Sequence, residues 1–263
     1  MTTTSADFAF LARIAEAAGD VILPHFRTPL AVENKAGEGL YDPVTEADKA
    51  AELRIRALIA EAHPGDGILG EEFGAERLDA ERVWIIDPID GTRAFVSGVP
   101  LWGTLVGRVD NGRPALGLMA QPYIGEVFVG DGRHAEIRRG ADVRPLRTRP
   151  AASLAHAVLM TTSPALFTGD DVAAFERVKA RARLTRYGGD CYAYCMLAAG
   201  FVDLVVEAGL QTYDIAPLIP IVEGAGGVVT SWEGGSAKDG GRVVAAASRA
   251  LLDEALELLA GRG

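Results

Sequence analysis

The chain has 263 residues, of which 49% are apolar and 24% charged, and carries a net charge of −10. That length suits one large domain or two closely packed halves with a substantial core. The acidic balance excludes broad contact with nucleic acid or an anionic membrane. Met1 to Ala6 lacks a basic start followed by an apolar run, and no stretch reads as a membrane span, so a cytoplasmic enzyme is expected.

Phe10, Leu11, Ile14, Ala18 and Val21 recur at a helical period, which predicts a helix from Phe8 to Ile22. The polar, glycine-bearing run from Glu33 to Tyr41 reads as an exposed loop. A second helix is predicted from Thr45 to Ala62, stopped by His63-Pro64-Gly65-Asp66-Gly67. Strand-like runs follow at Ile68 to Gly70, Val83 to Ile86, Thr104 to Val109, Ala115 to Ala120 and Glu126 to Val129. Asp110-Asn111-Gly112 is a hairpin signal between two of them. The first half, about 1–147, is thus expected to be two helices and an antiparallel meander.

From about 148 to 263 the pattern alternates. Strands are predicted at Ala157 to Thr161, Val202 to Val206, Gly227 to Trp232 and Val243 to Ala247. Helices are predicted at Asp171 to Ala182, Tyr192 to Ala199, Asp214 to Glu223 and Leu251 to Ala260. The expected class is α/β with an α+β first half, the halves forming a single catalytic unit. Cys191 and Cys195 share a helix face, where geometry disfavours a bridge, and read as two reduced, buried thiols.

An acidic protein that binds an anion needs a cation in its site, and the acids to hold one are present. In Trp84-Ile85-Ile86-Asp87-Pro88-Ile89-Asp90-Gly91-Thr92 a buried strand runs into two acids on a turn stiffened by proline. Gly91 lets backbone approach a ligand, and a helix starting at Gly91 to Thr92 would aim free amides at an anion. The plain alternative is a surface turn whose acids cap a helix. Three further acidic stretches accompany it: Asp42-Pro43-Val44-Thr45-Glu46-Ala47-Asp48, Gly70-Glu71-Glu72 and Tyr213-Asp214-Ile215-Ala216. Each also has a plain reading, as solvated acids or acids favoured at helix starts.

These four stretches, followed by Gly226-Gly227, occur in the order and at the spacings of the inositol monophosphatase family, which the chain resembles over nearly its whole length. Members are lithium-sensitive magnesium phosphomonoesterases related to fructose-1,6-bisphosphatase. The resemblance implies a layered αβαβα sandwich, a homodimer and a small phosphorylated metabolite as substrate. Pro217 departs from the small residue usual there. Carried over, the resemblance gives one Mg²⁺ to Glu71, Asp87 and the Ile89 carbonyl, and a second to Asp87, Asp90 and Asp214. Mn²⁺ suits the same ligands. Glu71 and Thr92, with Asp48 behind Thr92, would orient the attacking water, and the Gly91 and Thr92 amides would hold phosphate. Lys35 screens phosphate, accompanies a third, weakly held Mg²⁺, or is a plain surface lysine.

The substrate expectation rests on two acids. Glu207 occupies the family position that contacts the alcohol part, and Asp190 stands where inositol phosphatases usually carry a small neutral residue. Two acids suit a cationic alcohol better than a neutral polyol. Phe95 to Thr104, Gln121-Pro122-Tyr123 and Tyr187 to Tyr192 resemble the histidinol-phosphate phosphatase branch. L-histidinol phosphate is therefore the expected substrate, with inositol 1-phosphate or a broader sugar or nucleotide phosphate as the alternative. Asp190 has a second reading as a helix N-cap. Trp102 lines the pocket or, more simply, fills the core. A non-catalytic metal-binding regulatory module is the rival of another class; both Glu71 and Thr92, whose loss would favour it, are present.

Overall fold

A computed structural model describes residues 5–29, 33–34, 43–150 and 153–262. In chain order these form α1 (Ser5–Ile22), β1 (Glu33–Asn34), β2 (Pro43–Val44), α2 (Glu46–Ala62), β3 (Gly67–Gly70), β4 (Gly74–Glu76), β5 (Arg82–Asp90), α3 (Thr92–Val96), β6 (Gly103–Asp110), β7 (Arg113–Gln121), β8 (Glu126–Gly130), β9 (Ala135–Arg139) and β10 (Asp142–Pro145). There follow β11 (Val158–Thr161), α4 (Asp170–Arg181), β12 (Leu184–Tyr187), α5 (Asp190–Ala198), β13 (Leu204–Leu210), α6 (Thr212–Ile215), α7 (Ile219–Gly224), β14 (Val228–Ser231), β15 (Gly241–Ala246) and α8 (Arg249–Leu259).

Two sheets and three helical layers result. The larger sheet has the order β10-β9-β8-β7-β6-β5-β3-β4, and the smaller β12-β11-β13-β15-β14. The apolar stripe of α1 (Leu11, Ile14, Ala18, Ile22) and that of α2 (Ala51, Ile55, Ile59) bury against Trp84, Ile86, Val106 and Leu118 on one face of the large sheet. Its other face (Leu105, Met119, Phe128) meets α5 and α7, which also cover Val205, Val243 and Ala245 of the small sheet. The far face of the small sheet (Leu159, Leu204, Val206, Val244) is closed by Phe175 and Val178 of α4 and by Leu251, Leu252, Ala255 and Leu259 of α8. This is the expected αβαβα sandwich. Among the described residues no helix is long and apolar enough to cross a membrane.

Several elements differ from the sequence expectation, each for a physical reason. The first sheet is not a pure meander, because β3 runs parallel to β5. The predicted helix from Asp214 to Glu223 is two helices, α6 and α7, interrupted at residues 216–218. Pro217 and Pro220 remove amide donors there. Pro217 also presses on the sheet: a Cβ on Gly117 would lie 1.9 Å from its carbonyl oxygen, so the close approach requires glycine. Strands β4, β9, β10 and β12 were not predicted. They are short, and β4, β10 and β12 are sheet-edge strands, where polar, exposed residues leave no apolar alternation to read. The Asp110-Asn111-Gly112 hairpin is as expected, with φ of 49° at Asn111 and 78° at Gly112, both in the left-handed region a two-residue turn demands. Cys191 and Cys195 are buried and free.

Candidate active site

The site is built at the end of β5. This strand continues through Pro88 to Asp90, four residues beyond the predicted stop at Ile86. An irregularity in the β5–β6 register between Asp87 and Asp90 accommodates the proline. The Pro88 carbonyl accepts from Thr104 Oγ1 at 2.9 Å, and Asp87 Oδ1 accepts from the Ile89 amide at 3.0 Å. Gly91, at φ 81°, then turns the chain into α3. A Cβ there would lie 3.2 Å from the Leu101 carbonyl oxygen and 3.3 Å from Asp190, so this turn needs glycine on both counts.

Neighbouring elements bring the other acids. Because β3 is parallel to β5 with Gly70 opposite Ile86, Glu71 emerges beside Asp87, its amide donating to the Ile86 carbonyl at 3.1 Å. Asp214 arrives on α6, its Oδ2 accepting from the Gln211 amide at 2.7 Å. Asp90 Oδ2 accepts from the Cys191 amide at 2.7 Å and so ties β5 to the start of α5.

Asp87, Asp90 and Asp214 each offer a carboxylate oxygen within 4.8 Å of the others. They belong to a cleft of about 240 Å³ whose lining, among the described residues, includes five acids, Glu71, Asp87, Asp90, Asp190 and Asp214, against one basic residue, Arg93. Burial pushes Asp87 well above the ordinary carboxylate range, and the charges of Glu71, Asp90 and Asp214 push it further. Asp90 is raised well above that range by burial and by Asp190 and Asp214, with the Cys191 amide opposing. Asp190 is pushed up to about 6 by burial, offset by Thr162 and Arg93. Buried carboxylates that repel one another either take up protons or hold a cation. Hard oxygen donors converging within one ion's reach fit a hard divalent cation.

The remaining predicted residues are placed less uniformly. Gly91 and Thr92 line the cleft at the first turn of α3, and Ile89 lines it too. Asp48, expected behind Thr92, and Thr92 itself each have other hydrogen-bond partners. Asp48 Oδ2 accepts from the Thr45 amide (2.8 Å) and hydroxyl (2.6 Å) as the capping box of α2, while Thr92 Oγ1 donates to the Ile89 carbonyl at 3.0 Å. Burial raises Asp48, and the charge of Glu71 adds to the rise. Glu207 lies behind the cleft rather than on its surface. It is 1% exposed and accepts from Thr161 Oγ1 (3.1 Å), the Thr162 amide (2.7 Å) and Thr162 Oγ1 (3.0 Å). Asp190 is not an N-cap: Gly189 holds that position and Asp190 is the first helical residue, at φ 43°. Trp102 fills the core, its ring 5.0 Å from Phe95 and 5.3 Å from Phe26. Lys35, Asp42 and residues 35–41 of the predicted loop lie outside the described residues; its first two residues form β1, paired with β2.

Arg93, Thr162 and Leu166 line the cleft and were not anticipated. Arg93 directly follows the Asp-Gly-Thr turn and was legible from that position alone. Thr162 and Leu166 follow β11, and only the fold brings them there.

Residues 5–261 match the model of the inositol monophosphatase family. The chain is 42% identical over 224 residues to the bifunctional phosphatase IMPL2, chloroplastic, of Arabidopsis thaliana, covering 84% of this chain and 63% of that protein's length. It is 35% identical over 229 residues to a histidinol-phosphatase of Chlorobaculum parvum, covering 87% of this chain and 86% of that one. Its fold matches an inositol monophosphatase from Zymomonas mobilis with a TM-score of 0.87 and 41% identity, over 99% of this chain and 100% of that one. With its acids gathered at the end of β5 and this likeness running through the whole fold, the chain belongs to the inositol monophosphatase family, a family of metal-dependent phosphatases.

Proposed function

We propose that the chain is a magnesium-dependent phosphomonoesterase that hydrolyses L-histidinol phosphate to L-histidinol and phosphate. The observation that carries the metal-dependent reading is the cleft lining, among the described residues five acids against one arginine, which repels a phosphate unless cations are bound. Asp87, Asp90 and Asp214 would hold magnesium, with Glu71 and the Ile89 carbonyl completing the set for two ions. Bound there, magnesium would neutralise the carboxylates, attract the ester and acidify water. Glu71 and Thr92 orient the attacking water, and Glu71 holds its proton. The water oxygen bonds to phosphorus as the bond to the alcohol oxygen breaks; the alcohol oxygen takes a proton from solvent, and Glu71 returns its own to solvent. The Gly91 and Thr92 amides stabilise the phosphate oxygens as charge shifts. Asp48, bonded to Thr45 and electrostatically next to Glu71, secures the start of α2 beside this group.

Substrate choice rests on Asp190. It is an acid at the cleft wall, and an ammonium or imidazolium on the alcohol would pair with it by a charge-assisted hydrogen bond. The name of the Chlorobaculum relative supports the same choice. A second reading has its own observation: Arg93 already sits in the electrostatic field of Asp190, which leaves less negative charge for a cationic alcohol and suits a neutral polyol such as inositol 1-phosphate. A kinetic panel of phosphate esters on wild type and Asp190→Asn separates them. The variant is expected to lose kcat/KM by about tenfold or more for histidinol phosphate and by less for inositol 1-phosphate, in line with one charged hydrogen bond. Equal turnover of both esters by the wild type, or an unchanged ranking in the variant, sinks the preference.

A further inference from the structure

Helix α2 carries a buried acid that the reaction described above does not use. Glu52 is fully buried, at 0% exposure. A buried carboxylate is tolerated only where its oxygens find donors. Here Oε2 accepts from the Glu72 amide at 2.7 Å, and Oε1 from the Phe73 amide at 3.2 Å and from Arg56 Nε at 2.7 Å. Arg56 in turn donates to the Gly74 carbonyl. Asp48, Glu52 and Arg56 follow at four-residue steps and so lie along one face of α2. That face meets the whole turn joining β3 to β4.

The turn begins with Glu71. Its own amide is tied to Ile86, and the two amides that follow it are tied to Glu52. The peptide on each side of Glu71 is therefore anchored, one side to β5 and the other to α2. Gly70 leaves the space for this: a Cβ there would sit 1.9 Å from Glu52 Oε1. A surface turn needs no buried carboxylate to close it. A turn whose side chain must meet Asp87 at a fixed distance does.

We propose that Glu52 is a positioning residue that holds the Glu71 turn in the geometry for metal binding. This rests on the reading of Glu71 as a metal-site acid. Glu52→Gln is the informative change, because whichever way the amide turns, its NH₂ opposes a turn amide, that of Glu72 or that of Phe73 together with Arg56. Manganese(II) is titrated calorimetrically into the metal-free wild type, E52Q, E71Q, the E52Q/E71Q double variant and R56Q, with near-ultraviolet circular dichroism to confirm folding. E52Q is expected to bind the metal about tenfold more weakly, as loss of an outer-shell partner does. The double variant should bind within about twofold of E71Q alone, since Glu52 then has no ligand left to position. R56Q should weaken binding in the same direction and by less.

Wild-type affinity in folded E52Q, with E71Q weakened, overturns the proposal alone. Losses that multiply in the double variant do the same, because they give Glu52 a role independent of Glu71. Wild-type affinity in E71Q instead overturns the reading of Glu71 and takes the proposal with it. Should E52Q fail to fold, R56Q decides, and unchanged metal binding there counts against the proposal.

Discussion

Asp203 and Asp87 are both buried, at 1% and 2% exposure, yet their surroundings are opposite. Asp203, just before β13, is matched by protein groups. Arg149 donates to both of its oxygens, with Nε–Oδ1 at 2.7 Å, and the Val158 amide donates to Oδ2 at 2.7 Å. Asp87 accepts from the Ile89 amide and, among the described residues, faces the acids Glu71, Asp90 and Asp214. A carboxylate that folding must bury for structural reasons comes with its cation in the chain. One that is buried without a cation has been left for a ligand to satisfy. The cleft is thus a place where the fold gives up stability that a bound cation would restore.

The largest expected effect comes from exchanging these two acids' fates. Asp87→Asn should lower phosphate release by ~10³-fold or more, because charge stabilisation worth several kcal/mol is lost. The metal-free variant should melt no lower than metal-free wild type, since one repelling charge is gone. Asp203→Asn should do the reverse. It leaves Arg149 and the Val158 amide imperfectly matched and costs about 2 kcal/mol, with turnover per folded molecule unchanged. Melting curves with and without Mg²⁺, beside kinetics, check both. A D87N protein that keeps full activity would erase the distinction.

Next in size is a pH effect confined to the cleft. Burial pushes Asp190 up to about 6 and Glu207 to about 7, from ordinary values of 3.8 and 4.5. In that window the folded chain holds protons that the unfolded chain has released. The stability they contribute is therefore full below the ordinary values and is lost as pH rises through about 6 and 7. Asp87 and Asp90, also raised, act in the same direction. Metal-free protein should melt several degrees lower at pH 8 than at pH 5.5, since ~1 kcal/mol moves the midpoint of a chain this size by about 2–4 °C. Magnesium should narrow the gap, because it binds the deprotonated cluster and is favoured at high pH. A higher midpoint at pH 8 in the absence of metal would contradict the shifts.

The same contrast explains what the sequence showed and what it hid. The acids that gather in the cleft were legible because their placement is local: Asp87 and Asp90 stand around a proline at a strand end, and Glu71 and Asp214 each terminate or open an element. The alternating second half was legible from the helix and strand periods and the αβαβα sandwich from the family resemblance, whereas short, polar strands such as β10, the parallel β3–β5 pairing and the break between α6 and α7 escaped. The partners of buried acids were not legible. Nothing in the spacing of Asp203 and Arg149, or of Glu52 and Glu72, marks them as neighbours, because the folded layers alone bring them together. Asp48 and Thr92 were brought together by resemblance alone. In the structure each has a nearer partner: Thr45 donates to the acid, and the Ile89 carbonyl accepts from the Thr92 hydroxyl.

Glu207 is the intermediate case, and it gives the smallest and sharpest test. Like Asp203 it is enclosed and fully supplied with donors, from Thr161 and Thr162. Like Asp87 it feels another acid, Asp190. If its work is to hold the Thr161–Thr162 end of β11, Glu207→Gln keeps one acceptor and turns an NH₂ toward a donor. The cost should be about 1 kcal/mol, or roughly 2–4 °C in melting temperature. kcat/KM for histidinol phosphate should then change by less than about threefold, because no charged contact to substrate is lost. If Glu207 instead swings into the cleft and meets the alcohol, the same substitution removes a charge-assisted hydrogen bond and costs about tenfold or more. The stability loss alone places Glu207 with Asp203 among the acids the fold satisfies; the kinetic loss places it with the acids left for the ligand.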